Sequence, residues 1–243
     1  VVPPRVDSVS PSFGEVGRAH TLTLFGALFG STNQARINGT LLPLLFYSST
    51  TCELTIPASL ATATGPLMID LSVNGVDWQP AAEFLLVPAA VYSTHSPLLG
   101  SAFGGTAVLI AASNLQPYST LRCMFDSSVV TAQFVNASAL VCLTPRHAVG
   151  SVAVQFSLNA VDFTPAGHFK YITQASFLAL SPVSGPSSGG TRVNLTGSAL
   201  LAGLTPLCRF GALAPVTATN ATDESLICVA PAHASGVVSL ALS

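Results

Sequence analysis

Hydrophobic and polar residues alternate with a period of two along much of the chain, which predicts β-strands. The alternation is clearest over residues 67–73 (Leu-Met-Ile-Asp-Leu-Ser-Val) and 151–158 (Ser-Val-Ala-Val-Gln-Phe-Ser-Leu), because successive side chains of a strand point to opposite faces of its sheet. No uninterrupted amphipathic stretch has helical length, and 19 glycines and 17 prolines interrupt the pattern. Short strands separated by such turns predict an all-β fold built from antiparallel sandwiches.

A repeat of about 85 residues organises these strands. Ser-Pro dipeptides at 10–11, 96–97 and 181–182 lie 86 and 85 residues apart. Four further landmarks keep this period: Gly-Gly-Thr at 104–106 and 189–191, Cys-x-Phe at 123–125 and 208–210, Cys-x-x-Pro at 142–145 and 228–231, and Asn-x-Val-Asp-aromatic at 74–78 and 159–163. We therefore expect three tandem repeats, at residues 1–88, 89–174 and 175–243. The third copy has no Asn-x-Val-Asp-aromatic segment, so we expect it to lack its last strand or two.

The landmarks resemble the IPT/TIG domain, an early-set immunoglobulin-like fold. Repeat three fits the family pattern best, with Ser181-Pro182, the turn at 185–191 and both cysteine segments, whereas Gly14-Glu15-Val16-Gly17-Arg18 replaces the double-glycine turn in repeat one. The resemblance covers essentially the whole chain and implies three tandem immunoglobulin-like β-sandwiches, the third incomplete at its C-terminus. Such domains occur in receptor stalks, extracellular adhesion proteins, secreted polysaccharide-acting enzymes and Rel-type transcription factors, so the fold does not name a function.

The resemblance also gives a meaning to four of the five cysteines. In the family the two cysteine positions of a repeat face each other and form a disulfide, which implies the bridges Cys123–Cys142 and Cys208–Cys228 and an oxidising compartment. Buried free thiols are the alternative. Cys52 has no partner in its repeat and lies two residues further from the following proline than its counterparts do. We expect it to be a buried thiol, with a bond to another chain as the alternative.

Four Asn-x-Ser/Thr triplets are candidate acceptors for N-linked glycans. They begin at Asn38, Asn136, Asn194 and Asn220. Val193 and Leu195 are expected to point inward, which turns Asn194 outward. The alternative is that all four asparagines are ordinary polar surface residues. Together with the cysteine pairs, the triplets favour an extracellular or cell-surface location reached through the secretory pathway.

Charge is sparse, with 8 basic and 10 acidic residues in 243 and charged residues at 7% of the chain, against about 25% in an average soluble domain. A nucleic-acid partner is excluded because so few cations cannot replace the counterions of a phosphate backbone. No apolar span approaches the roughly 18 residues of a membrane-spanning helix, so we expect no direct membrane insertion. The chain starts at Val1 without a signal-peptide pattern, and we expect it to be a fragment of a longer protein.

No constellation of residues predicts catalysis, a cofactor or a metal. Gly185–Gly189 fits the Gly-x-Ser-x-Gly pattern, but a nucleophile elbow needs a following helix, so we interpret it as a strand-connecting turn. The five histidines are scattered singly and lack zinc-ligand spacing. Asp77 and Asp162 recur at one repeat position, where we expect their carboxylates to accept backbone N–H groups of a turn. The aromatic residues that follow them, Trp78 and Phe163, are expected to anchor the core.

These observations favour a non-catalytic extracellular structural or adhesive module, part of a larger repeat protein that contributes to a rod, filament or assembly. Its expected partners are other protein chains or further copies of the same protein. The alternatives are a receptor ectodomain stalk, as in semaphorin or growth-factor receptors, and an accessory module of a secreted glycan-active enzyme. A Rel-type DNA-binding role is disfavoured by the charge and the cysteine pattern.

Overall fold

The computed structural model describes residues 2–173, 176–200 and 206–242, and in these residues the chain consists of β-strands and turns without an α-helix. Among these residues there is accordingly no helix long and apolar enough to span a membrane. The all-β prediction is confirmed. The fold divides into two compact units, one comprising 1–98, 105–145 and 151–169, the other 99–104, 146–150 and 170–243. The expected boundary at 174/175 lies outside the described residues.

The first repeat is a sandwich of two sheets. One sheet has the order β1-β3-β7-β6 and the other β2-β9-β8-β4-β5, in which β2 runs parallel to β9. Large side chains on the facing strands are fully buried, among them Leu22, Leu54, Ile69 and Phe84. The strands are β1 (Arg5–Ser10), β2 (Phe13–Glu15), β3 (His20–Ala27), β4 (Gln34–Ile37), β5 (Thr40–Leu42), β6 (Leu44–Ser48), β7 (Thr51–Ile56), β8 (Gly65–Ser72) and β9 (Gln79–Val87).

The second repeat uses the same strand order, with one long strand joining its two halves. The order is β10-β12-β15-β14-β13-β16-β17-β11, because β14 pairs with β13 at one end and with β15 at the other. As β2 does with β9, β11 pairs in parallel with β17. The strands are β10 (Val91–Ser96), β11 (Leu99–Ser101), β12 (Ala107–Ser113), β13 (Arg122–Phe125), β14 (Ser128–Asn136), β15 (Ala139–Leu143), β16 (Gly150–Ser157) and β17 (Phe163–Ile172).

The third repeat is shorter and has two three-stranded sheets, β18-β19-β22 and β21-β20-β23. Its core is correspondingly small and centres on Val193, Leu195, Phe210 and Leu226. Every residue of β18 is exposed. The strands are β18 (Ser176–Ser181), β19 (Arg192–Ser198), β20 (Leu207–Phe210), β21 (Val216–Thr217), β22 (Ser225–Val229) and β23 (Leu240–Leu242).

Equivalent positions can be matched from one repeat to the next by strand register. Val108 pairs with Cys142 and Val193 with Cys228, and the matching pair in the first repeat is Leu22 with Leu54. The first repeat therefore has a leucine where the others have the second cysteine. In the second repeat the first cysteine, Cys123, pairs with Phe156. In the first repeat Leu71 matches Phe156, and its partner is Ala35. Ala35 and Leu54 thus occupy the two positions at which the second repeat has its disulfide-bonded cysteines.

Candidate functional site at the junction of the first two repeats

The Asn-x-Val-Asp segments form the same turn in the first two repeats. The amide oxygen of Asn159 accepts hydrogen bonds from the backbone N–H groups two and three residues further on, at 3.0 and 2.8 Å, and Asn74 does the same at 2.9 Å each. The asparagine Nδ2 donates to the aspartate, Asp162 or Asp77, at 2.8 and 2.7 Å. Our prediction that the aspartates accept the backbone N–H groups was wrong. The asparagine does so, which leaves each carboxylate able to accept from other side chains.

In the second repeat this turn contacts the first repeat directly. Asn159 Nδ2 donates to the backbone oxygen of Phe13 at 2.9 Å, and Asp162 Oδ2 lies 3.0 Å from His20 Nδ1. The ring of Phe13 also packs on Tyr118, with centroids 4.4 Å apart. One turn therefore closes a hairpin in its own repeat and binds the neighbouring repeat. Asn74 and Asp77, by contrast, are exposed.

His20 is the buried centre of this contact, with 1% of its surface exposed. Its Nε2 lies 2.8 Å from the backbone oxygen of Glu15, which can only accept, so Nε2 carries a proton. Burial raises the pKa of Asp162, but hydrogen bonds from His20 and Asn159 and the charges of His20 and Arg18 outweigh it and hold that pKa below its ordinary value. The two ring nitrogens of His20 therefore connect the backbone of Glu15 to the carboxylate of Asp162.

Glu15 ties the connector between the repeats to β2. Its side chain is buried, with Oε1 accepting the backbone N–H of Ala90 at 2.8 Å. Its Oε2 forms an ion pair with Arg18 Nη2 at 3.0 Å, and the same Nη2 donates to Thr164 Oγ1 at 3.1 Å. The guanidinium of Arg18 thus supplies the opposite charge that the buried Glu15 carboxylate requires.

Sequence reasoning did not identify Glu15 and His20 as junction residues, because the repeat does not preserve them. Ser101 and Thr106 occupy the positions of Glu15 and His20 in the second repeat, as the matched registers of β11 and β12 show. The available signal was the divergent turn at 14–18, which replaces the double glycine. That divergence marks the turn whose residues bind the next repeat.

The structure joins Cys123 to Cys142 and Cys208 to Cys228, with Cα atoms 6.3 and 6.1 Å apart. Cys52 is fully buried and is not in a disulfide. Burial raises the pKa of its thiol to about 11, which disfavours the reactive thiolate at neutral pH.

All four sequon asparagines are exposed. Asn38 lies in the β4–β5 turn, Asn136 ends β14, Asn194 lies in the middle of β19, and Asn220 precedes β22. Both strand neighbours of Asn194, Val193 and Leu195, are buried.

The structure also shows where the remaining residues considered in the sequence lie and what they contact. Trp78 and Phe163 are only half-buried, so the prediction that they anchor the core was wrong. The guanidinium carbon of Arg36 lies 4.5 Å from the centre of the Trp78 ring. Gly185–Gly189 connects β18 to β19 without a helix, and within the described residues no three histidine, cysteine or acidic side chains cluster to hold a metal.

Comparison with known proteins gives the chain its family. The family model of the IPT/TIG domain matches residues 4–84, 90–171 and 175–243. Mouse fibrocystin-L is 25% identical over 153 residues, 63% of this chain and 4% of that protein. Human plexin-A3 is 32% identical over 122 residues, 44% of this chain and 6% of that protein. The chain thus spans only a small part of these relatives.

Similarity to solved structures is weaker. The plexin A4 full extracellular region has 19% identity and a TM-score of 0.47, with 96% of this chain and 21% of that chain covered. The Bacteroides ovatus glucan-utilisation protein SGBP-B, solved with a mixed-linkage heptasaccharide, has 11% identity and a TM-score of 0.32, with 94% and 67% covered. The three family matches together take in nearly the whole chain, which therefore belongs to the IPT/TIG domain family.

Proposed function

We propose that this chain is a non-catalytic structural or adhesive segment of an extracellular or cell-surface protein. Its three repeats, 1–88, 89–174 and 175–243, act as a spacer and offer their surfaces to other protein chains or further copies. The observation that carries the proposal is the junction at Glu15, His20 and Asp162, where charged side chains are used for joining one repeat to the next.

Buried polar contacts make this junction resist bending. Rotating the second repeat away would separate His20 from Asp162 and leave the buried ring without its carboxylate partner. Leaving a buried polar group unpaired costs about 1–3 kcal/mol, and more for a charged one. The connector is also short, and its Ala90 N–H is held by Glu15. A joint of this kind suits a spacer that keeps a fixed orientation.

An extracellular setting is supported by two features of the chain. Two cysteine pairs are joined within repeats, and structural disulfides persist in oxidising compartments. Four sequon asparagines are exposed, and N-linked glycans there would add polar cover to a surface poor in charge. Sequence similarity to plexin-A3 and fibrocystin-L agrees with this proposal.

Distance measurement across the junction tests the spacer. Nitroxide labels on Ser59→Cys and Ser127→Cys place one exposed probe in each of the first two repeats, while buried Cys52 stays unlabelled. Pulsed electron–electron double resonance should give a narrow distance distribution, which broadens when His20→Gln and Asp162→Asn are combined. A broad distribution in the otherwise unchanged chain would contradict the spacer.

Intact mass of protein from its native source tests the location. Without reduction, the mass should be lower by two hydrogens for each of the two bridges, and it should fall further when N-glycans are removed. Free thiols at all five cysteines and unmodified asparagines would instead indicate a reducing compartment and end the extracellular proposal.

A further inference from the structure

The second repeat presents an aliphatic sheet surface that no function described above uses. Strands β10, β12, β15 and β14 lie side by side in that order. Val108 and its partner Cys142 are fully buried, so the residues next to them in β12 and β15 point to the outer side of the sheet. We call the outward side chains of these two central strands the aliphatic face, and they are Ala107, Leu109, Val141 and Leu143.

This face is exposed and lies in an uncharged sheet. Leu109 is 43% exposed and Leu143 is 59% exposed. The structure describes every residue of β10, β12, β14 and β15, and none of them is a lysine, arginine, aspartate or glutamate. A partner can therefore cover the face without removing an ion from water, which is the main cost of burying a polar surface.

The other two repeats are more polar at the same positions. Matched by strand register, the first repeat has Thr21, Thr23, Glu53 and Thr55 there, and the third has Arg192, Asn194, Ile227 and Val229. The sandwich thus folds with a charged side chain on this face, and in the third repeat also with a glycan acceptor at its centre. Because the fold does not require aliphatic residues at these positions, the aliphatic face indicates a contact made by the second repeat.

The glycan acceptor of the second repeat lies away from the centre of the face. Asn136 pairs with Ala139, at the first residue of β15, whereas Leu143 is the last residue of that strand. Four residues of strand separate the two ends by about 13 Å. A glycan on Asn136 would therefore begin at one end of the sheet, and not among the aliphatic side chains as one on Asn194 would.

The composition of the face favours an identical partner. Interfaces between identical subunits are more apolar than those between proteins that also exist separately, and the latter rely on aromatic and arginine side chains at their centres. The aliphatic face has neither. Two such sheets can pack face to face, with about 10 Å between them and strands about 30° apart, and neither sheet then leaves a charge of the other unpaired.

The size of the face indicates how strong such a contact is. Four strands about 4.8 Å apart, each contributing about five residues, cover about 300 Å². A stable interface buries about 800 Å² on each partner. The face is therefore large enough only for a weak and reversible dimer, which becomes effective when many copies are held close together at a surface.

We propose that the aliphatic face is a homophilic contact site that packs on the same face of a second copy of this chain around a two-fold axis. The contact rests on the proposed function in one respect, that further copies are among the partners of the chain. Its test is separate, because the distance across the junction is measured within one molecule and association is measured between molecules.

Sedimentation equilibrium of the oxidised chain tests the contact. The average mass should rise from one copy towards two as concentration increases and should fall again on dilution. The face variant combines Leu109→Thr, Val141→Glu and Leu143→Thr, the residues that the first repeat has at these positions. Its dimerisation should be weaker by about tenfold or more, because the introduced carboxylates would face each other across the two-fold axis.

Val129→Glu is the matched control. Val129 is 52% exposed and belongs to the same repeat, but it pairs with Met124 of β13, outside the aliphatic face. This variant adds the same charge and should leave dimerisation unchanged. If circular dichroism shows that the combined face variant does not fold, Leu109→Thr alone replaces it and should weaken dimerisation in the same direction.

Three results would overturn the proposal. The first is a mass of one copy at every concentration, which would leave a different protein as the occupant of the face. The second is equal dimerisation of the parent and a folded face variant, which would place the contact elsewhere. The third is an equal loss in the face variant and the Val129→Glu control, which would make the loss a general effect of added charge.

Discussion

His20 and Asp162 are 142 residues apart in the chain, yet His20 Nδ1 and Asp162 Oδ2 lie 3.0 Å apart. The histidine belongs to a central strand of the first repeat and the aspartate to a turn of the second. Because a carboxylate is one of the two partners, the strength of this contact depends on the ionisation of Asp162.

Asp162→Asn should destabilise the first repeat by about 1 kcal/mol at pH 7, since the buried His20 ring loses the carboxylate that it faces. The folded state lowers the pKa of Asp162, so the native side chain contributes its full stabilisation above the ordinary value of 3.8 and loses it as the pH falls through the folded value. Urea unfolding followed by the fluorescence of Trp78, the one tryptophan in the chain, should show the variant and the parent converging at acidic pH.

The matched control for that variant is Asp77→Asn. It changes the same turn position in the first repeat, where the carboxylate is exposed and accepts from Asn74 alone among the hydrogen bonds found for it. We expect a loss below about 0.5 kcal/mol, as for most exposed substitutions. Equal losses in the two variants would mean that the turn, and not the junction, is what Asp162 stabilises.

Introducing Ala35→Cys together with Leu54→Cys should create a third intradomain disulfide. These residues occupy the register positions of Cys123 and Cys142, and the two pairs have the same separation of 19 residues. A bridge closing a loop of this size stabilises by about 3 kcal/mol when unstrained. The oxidised double variant should unfold at higher urea than the parent, and the advantage should vanish on reduction. An oxidised variant that is less stable than its reduced form would show that the two repeats do not superpose here.

Cys52 should resist alkylation in the folded protein. Its thiol is fully buried and has a pKa of about 11. At pH 8 the reagent therefore cannot reach the sulfur, and little of the thiol is in the reactive thiolate form. Iodoacetamide followed by mass spectrometry should show no adduct until guanidinium chloride is added, whereas an exposed Ser59→Cys thiol should react promptly. A disulfide-linked dimer without reductant would contradict burial.

Gly189→Ala should destabilise the third repeat much more than Gly190→Ala. Both glycines have φ of +82°, so each alanine meets the backbone cost of a left-handed conformation, about 1 kcal/mol. A Cβ on Gly189 would lie 2.6 Å from the backbone nitrogen of Ala232, whereas one on Gly190 has no atom within 4 Å. The clash adds about 1–3 kcal/mol. Thermal unfolding by circular dichroism should rank parent, Gly190→Ala and Gly189→Ala in that order, and equal melting points for the two variants would contradict it.

The fold could be predicted because its signals recur. Strand alternation, the Ser-Pro landmarks and the cysteine spacing appear at a constant period, and that repetition separates pattern from chance. The displacement of Cys52 by two residues also follows from spacing alone, since a shift of two keeps a strand residue on the same face, and Cys52 and Leu54 are both buried.

The junction could not be predicted, because its chemistry depends on residues that differ between repeats. Glu15 and His20 have Ser101 and Thr106 as counterparts, and no sequence period connects His20 with a turn 142 residues away. The errors at the turn have local causes. Asn74 begins the turn, so its side-chain oxygen can accept the N–H groups two and three residues later, whereas Asp77 lies at the end of the turn. Trp78 lies just before β9 begins, where the chain has not yet entered the core.

The turns at 74–77 and 159–162 show how a repeat protein can vary its flexibility along its length. Each turn is closed by its own asparagine, so it folds in the same way whether or not a neighbour binds it. At the joint between the first two repeats, the contact is completed by Phe13 and His20 of the preceding repeat. Substitutions at such positions can loosen or tighten one joint at a time, and natural selection can act on them without disturbing the sandwich core or the turn.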